Sequence, residues 1–237
     1  MPVDVLFFGA HPDDVEWGAG GITLLLRDKG VRFAIVDLTR GEMGSRGTAA
    51  ERKSEAIQAA EFVGAASREC LDLPDCGIVD SPENRRLIAS VIRRHRPRLV
   101  IAPHWEDRHP DHAANGLLVR NSQLLCGLKK LDSEHAPHKP GAFLFYPLHN
   151  FHPPSFVVDI SSVFPEKMAL LRIHSSQFAK TAEEFGVLSQ GFGDYLFTLE
   201  SQNRYYGSLA GTKYGEALVS DGPVRLHGLD DVLSLLH

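Results

Sequence analysis

Two short runs hold most of the side chains in this chain that could do chemistry: Ala10-His11-Pro12-Asp13-Asp14 and His104-Trp105-Glu106-Asp107-Arg108-His109-Pro110-Asp111-His112. Each follows an apolar stretch of strand length, residues 3–8 and 99–102. Imidazoles and carboxylates crowded at two strand ends repel one another or go unused unless something gathers them, and a divalent cation does so. His11 and Asp14 are three residues apart in a strand-to-helix turn, which lets both side chains converge, and His112 comes in from the second strand. Two imidazoles and one carboxylate around an open position are the donors of a catalytic zinc, and the same set suits ferrous iron. Asp13 is left over as a general base for a water acidified by the metal. His109 can flank the same site to polarise a carbonyl or protonate a leaving amine, with Asp111 fixing its ring.

Asp and His also cap helices, so no one of these six identifies a ligand by itself. The case rests on the six together, and on the adjacent carboxylates Asp13 and Asp14, which are costly at a strand end without a cation. A dinucleotide site is the natural rival, because Gly18-Ala19-Gly20-Gly21 trails the first strand. Those glycines come too late, and the acidic His-Pro-Asp-Asp turn occupies the place where a pyrophosphate would sit. His149 and His152 read as satisfied loop histidines outside the catalytic set, and Met43 and Phe178 as candidates for the rim.

The elements that must position these runs alternate. Strands are expected over 3–8 and 33–38, a short one over 69–71, and another over 99–102. Between them come a helix over 18–29 with Ile22, Leu25 and Leu26 on one face, and a helix over about 48–63. The second opens on the capping-box pattern Thr48-Ala49-Ala50-Glu51 and buries Ile57, Ala60 and Val63. Ser81-Pro82 fits N-cap and N1 of a third helix carrying Leu87, Ile88, Val91 and Ile92. The run Arg93-Arg94-His95-Arg96 closes it, as cations favoured at a helix C-terminus. Pro110 starts a fourth helix reaching about residue 125. The polar, Pro-punctuated stretch 129–141 reads as a mobile connection, followed by strands near 143–146 and 156–160 and helices near 166–177 and 195–205. This order predicts an α/β fold: a Rossmann-like, mostly parallel sheet with helices on both faces and a C-terminal α/β extension. One domain over 1–237 is expected, with a core of about 1–126 and an extension of about 142–237.

Composition bounds the rest. The chain has 237 residues, 43% hydrophobic and 23% charged, which argues against disorder. A net charge of −5 gives no electrostatic case for nucleic acid or an anionic membrane. Three cysteines, Cys70, Cys76 and Cys126, form no CxxC pair and read as reduced. No signal-type segment opens the chain and no apolar run approaches the ~20 residues of a bilayer span, so a cytoplasmic protein without a membrane partner is expected.

The Ala-His-Pro-Asp-Asp run with the later His-Pro-Asp-His resembles the LmbE-like (PIG-L-like) family of zinc-dependent N-acetylglucosamine deacetylases. Further stretches resemble that family's bacillithiol-pathway branch, which removes acetyl from N-acetylglucosaminyl-malate. These are the run Asp37 to Thr48, Arg52, Ser176-Gln177-Phe178 and the late Arg204 to Ala217 run containing Glu216. The resemblance implies His11, Asp14 and His112 as metal ligands and Asp13 as the base. It also implies His109 as the electrophilic or acid partner oriented by Asp111, and Arg52 as the arginine that binds sugar hydroxyls. It implies a homo-oligomer, trimeric or hexameric, with the aromatic C-terminal segment as a candidate interface. The related mycothiol branch uses a tyrosine just upstream of the His-Pro-Asp-His run, where this chain has Asp107-Arg108.

The expected reaction is removal of acetyl from an N-acetylglucosamine conjugate, most simply the malate conjugate. Arg46, Arg52 and Arg108 would surround the pocket mouth, together with Glu42 as a further substrate contact. Two-pronged guanidinium pairing suits a carboxylate such as malate. Other conjugates stay open: an inositol glycoside, a chitooligosaccharide, an antibiotic precursor or a thiol conjugate. A ferrous oxygenase could use the same three ligands but normally sits in a β-barrel. A metal-dependent sugar-binding protein without turnover is the remaining alternative.

Overall fold

Alternation along β1 (Val5–Gly9) sends Val5 and Phe7 to one face and Leu6 and Phe8 to the other, and both faces are buried. A strand apolar on both sides needs cover on both. The computed structural model, which describes residues 2–131, 133–178 and 195–224, shows that cover. Parts of the expected 142–237 extension therefore lie outside the described residues. After β1 come α1 (Asp14–Asp28), β2 (Phe33–Asp37), α2 (Ala49–Phe62), β3 (Ser67–Cys70), α3 (Pro82–His95), β4 (Leu99–Pro103) and α4 (Pro110–Gly127). The chain continues through β5 (Ala142–Tyr146), β6 (Phe156–Asp159), α5 (Phe164–Ile173), α6 (Ser175–Phe178), α7 (Tyr195–Leu209) and β7 (Gly215–Ser220).

The seven strands form one sheet in the order β3-β2-β1-β4-β5-β7-β6. The first five are parallel, and β7 runs antiparallel between β5 and β6. Val5, Phe7, Phe33 and Ile101 pack under α1, α2, α5 and α7, while Leu6, Phe8, Ala34 and Val100 pack under α3 and α4. The chain therefore has the expected α/β architecture. β2 and β3 lie to one side of β1, and β4 and β5 to the other. The sheet changes its direction of growth between β1 and β4, and the crevice beyond their carboxyl ends is where open α/β sheets bind ligands.

Several local expectations hold for the stated reason. Thr48 accepts from the backbone of Glu51 while the Glu51 carboxylate accepts from Thr48, a complete capping box. Ser81 caps α3 through the backbone of Asn84, with Pro82 at N1. The basic run at the end of α3 does more than face its own carbonyls. Arg93 is buried and donates to the carbonyls of Leu125 and Cys126 at the end of α4 and of Leu128 just beyond it, while Arg94 and His95 pair with Glu69.

Other expectations are corrected. α1 begins at Asp14, not at residue 18, so Asp14 sits in its first turn. Ile57 is 49% exposed, because the inward stripe of α2 is Arg52, Glu55, Ala56, Ala59 and Ala60. Glu55 there accepts from Ser175 and Ser176. The single helix expected over 166–177 is broken at His174 into α5 and α6. In the described part of the 129–141 connection, His138 bonds the carbonyls of Cys126 and Pro97 through backbone and ring nitrogens, and Arg93 reaches the carbonyl of His135. All three cysteines are free.

The strand that sequence patterning misses, β7, carries a structural acid. α1 is kinked at Ala19, which frees the amides of Gly21 and Ile22, and the buried Glu216 carboxylate accepts from both at 2.7 Å. Lys167, fully buried, donates to Glu216 (2.6 Å) and to the Trp17 carbonyl (2.7 Å). The glycines of α1 serve packing, not phosphate: a Cβ on Gly18 would lie 2.0 Å from the Tyr146 ring. In α4, a Cβ on Gly116 would lie 2.4 Å from the Pro103 carbonyl and 2.7 Å from the Trp105 amide, so this helix rests directly on the end of β4. Gly116→Ala is expected to destabilise the fold by about 1–3 kcal/mol, read as a lowered urea midpoint. An unchanged midpoint would show that α4 can lift off β4 freely.

Candidate metal centre and active site

The β1–α1 turn brings His11 and Asp14 to the crevice, and the first turn of α4 brings His112. All three are buried. His11 Nδ1 lies 3.3 Å from His112 Nε2, His112 Nε2 lies 3.1 Å from Asp14 Oδ1, and His11 Nδ1 lies 3.7 Å from Asp14 Oδ2. One donor atom from each of the three residues lies within 4.8 Å of the other two, a grouping that could hold one metal ion. Asp14 is held in place by the amides of Ala10 and His11, which donate to its Oδ2 at 2.8 and 3.0 Å. Burial would raise its carboxyl, but His112 and His11 draw it well below the usual carboxylate range.

Each imidazole of the triangle uses its other nitrogen on a carboxylate. His11 Nε2 is 3.0 Å from Asp75 Oδ1, and His112 Nδ1 is 3.1 Å from Asp107 Oδ1. Metal-binding histidines are held this way, since the outer carboxylate fixes the ring and strengthens the inner nitrogen as a donor. The donor set and its support therefore fit a divalent cation. Sequence reasoning missed both outer carboxylates. Asp75 lies in the loop after β3, on the carboxyl edge of the sheet but in no recognisable motif. Asp107 lay inside the second run without a role. It accepts from four nitrogens: the rings of His112 and His149 and the amides of His109 and His149.

Of the expected catalytic groups, Asp13 lies against Arg52, whose Nη2 donates to Asp13 Oδ1 at 3.0 Å. Burial raises the Asp13 carboxyl above its ordinary value, and the charge on Arg52 opposes that rise. Arg52 also donates to the Gly41 carbonyl, and its buried Nε has no hydrogen-bond partner among the described residues. His109 stacks on His112 with ring centroids 4.5 Å apart, and its centroid is 4.9 Å from that of His11. Burial and the neighbouring histidines push His109 down to about 4, so the ring is neutral at pH 7. Its Nδ1 accepts from the Asp111 amide at 3.2 Å, which places the ring proton on Nε2.

Asp111 meets His109 through its main-chain amide, while its carboxylate accepts from the Cys76 and Ile78 amides and lies 3.5 Å from His11 Nε2. The outer expected contacts are scattered. Glu42 is exposed and accepts from the Asp75 amide, and Arg108 is exposed. Arg46 and Gln177 exchange side-chain-to-carbonyl bonds, which ties the 41–47 loop to α6. His149, left outside the set, stacks on His112 at 4.9 Å and 12°. Met43 is exposed, whereas Phe178 stacks on Trp17.

Asp107→Asn preserves size but removes the charge shared by His112 and His149. It is expected to weaken metal binding about 10–100-fold, measured by competition with a chelator; unchanged affinity would remove Asp107 from the support of the centre.

Residues 6–122 match the family described as PIG-L, GlcNAc-PI de-N-acetylase. A diacetylchitobiose deacetylase of Thermococcus kodakarensis is 32% identical, the match covering 94% of this chain and 85% of that protein. A 4-oxalmesaconate hydratase of Pseudomonas putida is 27% identical, covering 73% of each. The solved structure of a conserved protein from Thermus thermophilus superposes with a TM-score of 0.85 at 38% identity, covering 94% of this chain and 97% of the other. With its donors gathered at the β1/β4 crevice of such a sheet, this chain belongs to the PIG-L (LmbE-like) family of deacetylases.

Proposed function

We propose that the protein is a metal-dependent hydrolase that removes acetyl from an N-acetylglucosamine conjugate. The observation that carries this reading is the buried donor triangle His11–Asp14–His112, with Asp13 and His109 beside it. These three residues would hold zinc, with ferrous iron the alternative; when bound, the ion lowers the pKa of water and polarises a carbonyl. Asp13, raised by burial, accepts the proton of the attacking water. Neutral His109 offers its Nε2–H to the oxyanion of the acetamide as it becomes tetrahedral, and needs no change of protonation to do so. Asp13, then protonated, returns the proton to the leaving amine. Arg52 holds Asp13 in register throughout.

The aglycone divides this reading. Malate follows from the resemblance of the late motifs to the bacillithiol-pathway branch and from exposed Arg108 beside His109. A second amino sugar follows from the relative named for diacetylchitobiose. A cytoplasmic setting and a trimeric or hexameric assembly belong to the same proposal; no described helix is long and apolar enough to cross a membrane.

Acetate release from a panel of N-acetylglucosamine conjugates tests the reaction. Asp13→Ala is expected to cut turnover about 10²–10⁴-fold with metal content intact, and a chelator to abolish it reversibly. Water addition to an unsaturated polycarboxylic acid, with no acetate released from any conjugate, would replace deacetylation with hydration.

A further inference from the structure

Arg52 of α2 meets Asp13 at the head of α1, and the next turn of each helix is held by one short stretch of chain. Glu55 follows Arg52 by three residues on the inward face of α2, and Glu16 follows Asp13 by three in the first turn of α1. Three residues is close to one helical turn, so each buried acid lies below its member of the pair. Both acids face residues 174–176. His174 Nε2 lies 3.5 Å from Glu16 Oε1. Glu55 accepts from the Ser176 amide (2.7 Å), the Ser176 hydroxyl (2.7 Å) and the Ser175 hydroxyl (3.0 Å). The break between α5 and α6 therefore bridges α1 and α2 one turn below the contact between Arg52 and Asp13.

The same stretch holds the loop that lies on Arg52. Arg52 Nη1 donates to the Gly41 carbonyl at 3.0 Å, and a Cβ on Gly41 would lie 2.0 Å from that nitrogen. At the other end of this loop a Cβ on Gly47 would lie 2.7 Å from Ser176, and Arg46 and Gln177 exchange bonds of 3.1 and 2.8 Å. The two side-chain hydrogen bonds of Arg52, to Gly41 and Asp13, go to loop and turn residues. Neither fixes α2 along its axis. The rest of the inward stripe is Ala56, Ala59 and Ala60, small side chains that interdigitate little. Three bonds to the Glu55 carboxylate set the height and rotation of that turn.

We infer that Glu55 and Ser176 are positioning residues for Asp13: their contact seats α2 and closes the 41–47 loop, and so aims Arg52 at the Asp13 carboxylate. The effect on turnover rests on the deacetylase reading, whereas the aim of Arg52 does not.

The test uses metal-loaded protein and its Glu55→Ala, Glu55→Gln and Ser176→Ala variants. Acetate release is followed from N,N′-diacetylchitobiose or N-acetylglucosaminyl-malate, whichever the parent turns over faster. Glu55→Ala is expected to lose about 10–100-fold, mainly in kcat, with metal content intact. Ser176→Ala is expected to lose less, and Glu55→Gln, which keeps an acceptor for the Ser176 amide, to recover most of the activity. In an Asp13→Ala background the same substitutions are expected to cost nothing further, because no base is left to aim. A merely structural role would lower both backgrounds by one factor. Nitrogen NMR of the arginine side chains needs no substrate, with Arg52→Lys assigning the signals. Arg52 Nη–H signals are expected to be resolved in the parent and in Glu55→Gln, and averaged by rotation in Glu55→Ala and Ser176→Ala. Should Glu55→Ala not fold, Ser176→Ala carries both comparisons. Arg52 signals unchanged by the alanine variants, equal losses in both backgrounds, or a Glu55→Gln loss as large as that of Glu55→Ala would each overturn the inference. Failure of either conjugate to release acetate would count against the deacetylase reading, and the spectra alone would then decide the role of Glu55 and Ser176.

Discussion

Two imidazoles and one carboxylate share the same small space at the ends of β1 and β4, with one donor atom from each within 4.8 Å of the others. Drawing three such polar groups out of water is costly unless each is paired, and here, against the pull of burial, the two rings hold the Asp14 carboxyl well below the usual carboxylate range. Much of the surrounding architecture can be understood as holding this group together. The parallel order of β1 and β4 brings both loops to one edge, and the direct seating of α4 on β4 at Gly116 sets how far His112 projects. Asp75 and Asp107 clamp the two rings from outside.

Charge is managed in layers around that centre. Behind the β1–α1 turn, buried Arg68 pairs with Glu16 and Asp37, which holds the Glu16 carboxyl well below its ordinary value. On the substrate side, Arg52 opposes the burial of Asp13. Removing one member of a buried pair leaves the other uncompensated, which costs about 3–5 kcal/mol.

Much of this was legible in the sequence, for a physical reason. His11, Asp14 and His112 are short-range features: polar residues placed where an apolar strand stops, with few structural uses that would require all of them. Fold class was legible because a two-sided strand such as β1 reads as an uninterrupted apolar run. Asp75 was not, because nothing in the loop after β3 signals that its carboxylate meets a ring 64 residues away. Ile57 misled because α2 turns Arg52 and Glu55 inward to bond, so its buried face is not its apolar face. β7 was missed because a strand carrying a buried acid breaks the hydrophobic pattern that reveals strands.

The kink of α1 bears on how the chain is born. The amides freed at Gly21 and Ile22 find their acceptor at Glu216, 195 and 194 positions later. Contacts that span most of a polypeptide close late, because a long loop must lose its freedom before it gains them. During synthesis, then, Gly21 is made 195 residues before the acceptor that caps the break beside it. Support for the residues at the start of α1 is delivered by a strand made long after them.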